Sequence, residues 1–292
     1  MKYLKAIGIS VLAIVLLVAS QLLADEISSG ALQLGVPVWI CDLACGILYP
    51  VFALLIAKYF MEKVLHQKLS DNGITSFRLE LKWVVLAFLL PLAVMAIYLL
   101  IFPGEYVTSG VTNERVFETV IIGVFYTGIA AGIVEEMVFR GFIFHSLERA
   151  WNTKVALIVP SLLFGVIHII GRDYSVGSCL LVILAGTAVG IMFSLIMMES
   201  GSIWCSAFVH AMWNIIIIGG VLTVSDAPDE FSLVTYVLKM KSFAITGGEF
   251  GIESSVIALA GYVIVSFVAI LMLRKHGYKT DIKDCQETGD EG

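Results

Sequence analysis

Long apolar stretches separated by short polar segments dominate the chain. Eight of these stretches approach the roughly 20 residues that a helix needs to cross a bilayer. The pattern therefore predicts an all-α fold, a polytopic membrane helix bundle with about eight transmembrane helices. The predicted helices lie within residues 6–24, 37–60, 83–102, 117–145, 154–170, 178–198, 203–222 and 252–273.

The chain divides into three parts along its length. Residues 1–110 contain N-terminal transmembrane helices, and residues 111–222 contain a core that carries three polar motifs. Residues 223–292 contain an outer loop, the last transmembrane helix and an acidic tail. Within that loop, we expect residues Phe231–Met240 to lie along the membrane interface. The first apolar stretch is long for a signal peptide, so we expect it to be a retained helix.

The distribution of lysine and arginine between the loops predicts the orientation, because cytoplasmic loops are enriched in these residues. The segments on one side carry twelve cations and those on the other side carry four, so both termini are expected in the cytoplasm of a cell-membrane protein. The twelve are Lys2, Lys5, Lys63, Lys68, Arg78, Lys82, Arg149, Lys154, Arg274, Lys275, Lys279 and Lys283; the four are Arg115, Arg172, Lys239 and Lys241.

Composition supports a membrane protein and excludes several other classes. Hydrophobic residues make up 59% of the 292 residues and charged residues 14%, whereas soluble domains contain about 25% charged residues. The net charge is -6, and no basic patch suggests nucleic acid as a partner. The five cysteines are odd in number and form no CxxC pair, so neither a disulfide framework nor a cysteine metal site is expected.

Two adjacent carboxylates and an arginine interrupt the fourth apolar stretch. Glu135, Glu136 and Arg140 lie within Ile122–Phe144, where each charge costs at least about 2.5 kcal/mol on translocon scales. Positions i and i+4 share a helix face, so Glu136 and Arg140 can form an ion pair. Glu135 is rotated by about 100° from Glu136 and is left free to act as a general base. Alternatively, both acids stabilise contacts between helices.

Two further motifs place polar side chains on other predicted helices. His168 follows Phe164 by four residues, so an imidazole and an aromatic ring share one face. His210 and Asn214 repeat this spacing and can both donate hydrogen bonds to one point, as a developing oxyanion requires. Each histidine could instead be a buried structural residue, and His210 could bind a metal ion.

The three motifs together, Glu-Glu-x-x-x-Arg, Phe-x-x-x-His and His-x-x-x-Asn, resemble the CAAX prenyl endopeptidase and bacteriocin-processing (abortive-infection) family of membrane proteases. Gly141 and the segment Ser200-Gly201-Ser202-Ile203-Trp204 also match the family. The resemblance covers roughly residues 117–218. It implies that Glu135 activates the attacking water with help from His168, that His210 and Asn214 hold the oxyanion, and that Glu136 and Arg140 orient the first group and balance charge.

The resemblance leaves the cofactor open, because the family has also been described as metalloproteases. Glu135, His168 and His210 would form a plausible zinc set, although the chain lacks the HExxH helix that supplies both histidines and the base. We favour the metal-free mechanism. We also expect the cavity to open toward the cytoplasm.

The expected function is therefore hydrolysis of a peptide bond in a membrane-associated peptide or protein, within the lipid bilayer. A second hypothesis is a non-catalytic immunity or scaffold protein that binds a peptide or a sensor partner. A third is a proton-coupled transporter, since buried acids and histidines also mark ion pathways. The chain shows no repeated halves, which disfavours the transporter.

Overall fold

The computed structural model describes residues 1–108 and 110–275, so the acidic tail after Lys279 lies outside the described residues. This part of the chain is a bundle of apolar helices, as the hydrophobic pattern predicts. The long helices are α1 (Lys2–Gln33), α2 (Val38–Tyr59), α3 (Leu81–Ile101), α4 (Asn113–Ala150), α5 (Thr153–Ile167), α6 (Val176–Ser200), α7 (Ile203–Ile217) and α8 (Val256–Lys275).

Six of these helices are long and apolar enough to cross a membrane. The other two, α5 and α7, have 15 residues each. At 1.5 Å per residue they extend about 22 Å, which is less than the roughly 30 Å hydrocarbon core. Both short helices belong to the polar-motif core, and their ends therefore lie deeper in the bundle than the ends of their neighbours.

Successive helices run in opposite directions, which defines two faces of the bundle. The terminal face carries the start of α1 and the loops α2–α3, α4–α5 and α6–α7; on this face the ring of Tyr3 lies 4.6 Å from that of Trp151. The opposite face carries the other loops and a small β-sheet, and we call it the sheet face. On this face the Ser175 N–H donates to the Glu249 carboxylate at 2.7 Å. Because the eight helices alternate in direction, α8 ends at the terminal face.

A small sheet covers part of the sheet face. Strand β1 (Gly104–Thr108) pairs antiparallel with β3 (Val234–Leu238), and β2 (Leu222–Ser225) pairs parallel with β3, in the order β1-β3-β2. Within the segment Phe231–Met240, which we expect to lie along the membrane interface, the backbone of Val234–Leu238 pairs with both other strands.

Helix α4 is central to the packing and contacts α1, α2, α5 and α7. It is 38 residues long and contains two π-helical stretches, Ile122–Ala130 and Met137–Ile143. Helix α6 packs against α5 and α8, and α3 packs against α7. Helices from all three parts of the chain thus form one bundle around the polar motifs.

The turn between α6 and α7 explains the Ser-Gly-Ser-Ile-Trp segment. Gly201 ends α6 in a left-handed conformation with φ 69°, which glycine adopts without steric cost. The Ser202 hydroxyl accepts from the Trp204 N–H at 3.4 Å and caps α7. The indole of Trp204 donates to the Thr75 carbonyl at 2.7 Å. These bonds fix where α7 begins and hence the depth of His210 and Asn214.

Candidate active site

The ion pair predicted in α4 is present and fully buried. Arg140 Nη1 donates to Glu136 Oε1 at 2.7 Å, and the side chains are 1% and 0% exposed. Arg140 Nη2 also donates to the Gly190 carbonyl at 3.0 Å. The guanidinium lies 4.7 Å from the ring centre of Phe164 and 5.2 Å from that of Phe193, so cation–π contacts add to the ion pair. Arg140 therefore ties α4 to α5 and α6.

His210 connects both glutamates across the interface between α4 and α7. Its Nδ1 lies 3.2 Å from Glu136 Oε1, and its Nε2 lies 3.8 Å from Glu135 Oε2. The ring stacks on Phe193 at 4.6 Å and 18°. Because Glu136 Oε1 is a carboxylate oxygen, the Nδ1–H donates to it. His210 can then donate from Nε2 only as the imidazolium, whose charge the two carboxylates offset.

His168 ends α5, where its Nδ1–H donates to the Phe164 carbonyl at 2.6 Å. A carbonyl oxygen only accepts, so the neutral ring carries its lone pair on Nε2. The ring lies 4.7 Å from that of Phe164 and 5.9 Å from that of Phe250. His168 thus presents a proton-accepting nitrogen next to aromatic walls.

Asn214 lies one turn after His210 on α7. Its Nδ2 donates to the Thr127 carbonyl at 2.8 Å. Thr127 belongs to the first π-helical stretch of α4. The bond uses one of the two amide hydrogens, so the second can serve another acceptor.

The structure brings four of the six predicted site residues to one cavity of about 340 Å³. These are Glu135, His168, His210 and Asn214. Glu136 and Arg140 do not line the cavity; they lie behind its wall and hold α4 and His210 in place. Glu135 is 21% exposed while Glu136 is 0% exposed, so the two adjacent acids have different environments.

The cavity opens toward the sheet face, opposite to the face on which α1 begins and α8 ends, so the expectations of cytoplasmic termini and of a cytoplasmic opening cannot both hold. Its lining includes Arg172, Ile218, Phe250 and Glu253, all from loops of that face. The short helices α5 and α7 are the physical reason. Because they stop short of the sheet face, polar side chains at their ends are reached from that side.

Sequence reasoning missed Glu253, which lines the same cavity as Glu135. Glu253 lies in a short 3-10 turn, Ile252–Ser254, just before α8. Burial, with a smaller contribution from the Glu135 carboxylate, raises the pKa of Glu253 to about 8. In the sequence, Glu253 stands at the start of an apolar stretch, where a lone acid resembles an ordinary helix boundary.

Tyr126 and Gln21 also line the cavity and were not predicted. Gln21 Nε2 donates to the Tyr126 hydroxyl at 2.7 Å, which joins α1 to α4 beside the motif residues. An amide and a phenol on two apolar helices carry no spacing signal of their own, so the sequence did not distinguish them from packing residues.

The possible metal ligands of the cavity are Glu135, His168 and His210. Among residues 1–108 and 110–275, no three His, Cys, Asp or Glu side chains come together as a metal-ligand set. Glu135 and His210 approach each other at 3.8 Å, but His168 does not complete a set with them. The side chains as arranged here do not fit the zinc site that the resemblance allowed.

Buried polar side chains converging on a cavity between membrane helices define a multi-pass membrane protein with an enzyme-like site. Residues 116–216 match the sequence model of the family described as type II CAAX prenyl endopeptidase Rce1-like. This region of the chain is therefore similar to that family, as the three motifs predicted, and the similarity supports an intramembrane peptidase.

A relative in Bacillus subtilis (strain 168) carries the description "Putative membrane peptidase YdiL". It is 24% identical over 176 residues, which cover 58% of this chain and 67% of the relative. No solved structure matches the chain.

Proposed function

We propose that the chain is an endopeptidase that cleaves a membrane-associated peptide or protein with a water activated by Glu135. The observation that carries the proposal is the convergence of Glu135, His168, His210 and Asn214 on one cavity. Two proton acceptors and two hydrogen-bond donors around one space are what hydrolysis of an amide requires. The similarity of residues 116–216 to the Rce1-like family and the description of the Bacillus relative are consistent with this chemistry.

The proposed reaction begins with a water held by Glu135 and the Nε2 lone pair of His168. Glu135 takes a proton as the water oxygen attacks the carbonyl carbon of the scissile bond. The carbonyl oxygen becomes negative and accepts hydrogen bonds from His210 Nε2–H and the second Asn214 amide hydrogen. The carbon–nitrogen bond then breaks, and the proton on Glu135 passes to the departing amine.

The buried pair behind the cavity keeps these groups in place. Glu136 accepts from both Arg140 and His210, so it orients the imidazole that faces Glu135. Arg140 balances part of the negative charge of the two acids and is itself held by the Gly190 carbonyl. Its role is to position other groups, since it does not line the cavity.

The proposal is tested in cells by comparing new protein termini in three strains. One strain carries the wild-type chain, one carries Glu135→Gln, and one carries Glu26→Gln as a control at an exposed position. Termini that depend on the protease should disappear with Glu135→Gln and persist with Glu26→Gln. Identical termini in all three strains would favour the scaffold function instead.

A further inference from the structure

A groove of about 300 Å³ continues from the catalytic cavity across the sheet face. Its walls are formed by residues 223–226 and by residues 246 and 248–253. We call this space the sheet-face groove. It shares Ile218, Phe250 and Glu253 with the catalytic cavity, so a peptide lying in the groove leads directly to the site of cleavage.

One wall of the sheet-face groove is the open edge of a strand. Strand β2 is the last strand in the order β1-β3-β2, and Thr223, Val224 and Ser225 line the groove. An edge strand presents unpaired N–H and C=O groups, and an extended peptide can add to such an edge through main-chain hydrogen bonds. Proteolysis needs an extended peptide, so the edge and the reaction favour the same substrate conformation.

The charge of the groove restricts which peptide fits. Its ionisable lining residues are Asp226, Asp229, Glu249 and Glu253, and within the described chain no lysine, arginine or histidine lines it. Glu249 is bound by the Ser175 N–H, and Asp229 accepts from the Phe231 N–H and the Ser232 hydroxyl. These two carboxylates fix the loops.

The carboxyl groups of Asp226 and Glu253 have no hydrogen-bond or ion-pair partner within the described residues. Glu253 lies where the groove meets the catalytic cavity, and Asp226 directly follows β2. Among the described residues, Arg172 is the one arginine or lysine that lines the catalytic cavity. A cation brought by the substrate would therefore meet unpaired acids along its path. The Glu253 carboxyl, whose pKa burial raises to about 8 in the free protein, would lose its proton as the positive charge arrives, because a nearby opposite charge favours the carboxylate.

We propose that the sheet-face groove binds the substrate as an extended strand along β2, and that Glu253 and Asp226 select a lysine or arginine side chain close to the scissile bond. This inference rests on the proposed peptidase function. It makes Glu253 a specificity-determining residue that contacts the substrate beside the reacting atoms. Asp226 binds a second basic side chain of the substrate, further from the cleavage site.

The first test uses a peptide library prepared from a proteome by cleavage after acidic residues, so that lysine and arginine remain internal. Purified full-length protein in nanodiscs should cleave preferentially within three residues of a lysine or arginine. Cleavage without enrichment of basic residues would overturn the charge selection. Absence of all cleavage by the wild type, or cleavage by Glu135→Gln at the wild-type rate, would instead overturn the proposed peptidase function.

The second test measures kinetics on matched peptides that carry either lysine or glutamine at the enriched position. Glu253→Gln should raise KM for the lysine peptide about tenfold, with kcat within about twofold, and leave the glutamine peptide unchanged; tenfold corresponds to about 1.4 kcal/mol. Glu26→Gln is the control. An equal effect on both peptides would show that Glu253 does not distinguish a charged side chain from a neutral one. Thermal melting of each variant checks that it is folded.

The strand-addition part of the inference is tested on the peptide, so that no change in the protein is needed. Single backbone N-methyl groups are introduced, one position at a time, into the library peptide that is cleaved fastest, over the residues proposed to lie in the sheet-face groove. Methylation should raise KM at alternate positions, because alternate N–H groups of an added strand point toward β2. A uniform effect, or none, would overturn strand addition and leave the charge selection to be judged by the first two tests.

Discussion

At the residue scale, the buried polar groups depend on one another. Glu136 accepts from Arg140 and His210, and His210 lies between Glu136 and Glu135. Arginine suits this position because its planar group donates to Glu136 and Gly190 while it contacts the faces of two aromatic rings. Removing any one member leaves another buried polar group without a partner.

Arg140→Ala is therefore expected to destabilise the protein as well as to reduce its activity. Loss of one partner from a buried ion pair costs about 3–5 kcal/mol, because the remaining charge stays buried. Thermal melting in detergent measures the loss. The double variant Glu136→Gln/Arg140→Met, which removes both charges, should recover much of the stability. An Arg140→Ala protein that melts like wild type would show that the pair contributes nothing.

At the element scale, the close approach of α5 and α6 sets the position of His168. Gly165 packs against the backbone of Ile183, and a Cβ at Gly165 would lie 2.6 Å from the Ile183 carbonyl oxygen. Gly186 contacts Gly165 in turn, since a Cβ at Gly186 would lie 2.5 Å from the Gly165 Cα. His168 follows Gly165 by three residues, so the spacing of these two helices fixes where the imidazole enters the cavity.

Gly165→Ala should push α5 and α6 apart and reduce both stability and cleavage. Overpacking of this kind costs about 1–3 kcal/mol. Gly8→Ala is the matched control, because Gly8 lies in α1 with nothing within 4 Å of its added Cβ. Melting and cleavage rate are measured for both variants. Equal behaviour of the two would mean that the helix spacing does not position His168.

The loop before α8 gives the protein a pH-dependent stability. The pKa of Glu253 is raised from 4.5 to about 8, so folding favours its protonated form. The contribution is present below pH 4.5 and is lost as pH rises through 8. Glu253→Gln should therefore melt like wild type near pH 4 and at a higher temperature at pH 9. A difference between the two proteins that does not vary with pH would contradict the buried carboxyl.

The sequence predicted the helices and the motif residues because both depend on local patterns. Apolar stretches reflect contact with lipid, and the i, i+4 spacings place Glu136 with Arg140 and His210 with Asn214. The strand Val234–Leu238 was missed because its partner, Gly104–Thr108, lies far away in the chain. The direction of the cavity and the position of Glu253 depend on where helices end relative to one another, which local spacing does not reveal.

At the scale of the whole molecule, eight passes place the start of α1 and the end of α8 on the terminal face. We propose that this face is cytoplasmic, since it carries most of the lysine and arginine residues. The cavity then opens on the opposite side. A membrane-impermeant thiol reagent should label Asp173→Cys in intact cells and should not label Lys63→Cys; both positions are exposed. The reverse pattern would invert the orientation.

The most direct measurement of the central claim is peptide cleavage by the purified protein after treatment with a chelator. The proposed mechanism uses Glu135 as the base and no metal, so the treated wild type and Glu26→Gln should both cleave. Glu135→Gln keeps the shape of the side chain and removes the base, and should cleave about 100- to 10,000-fold more slowly. Loss of wild-type activity that zinc restores would assign a metal to the site. Full activity in Glu135→Gln would contradict the site itself.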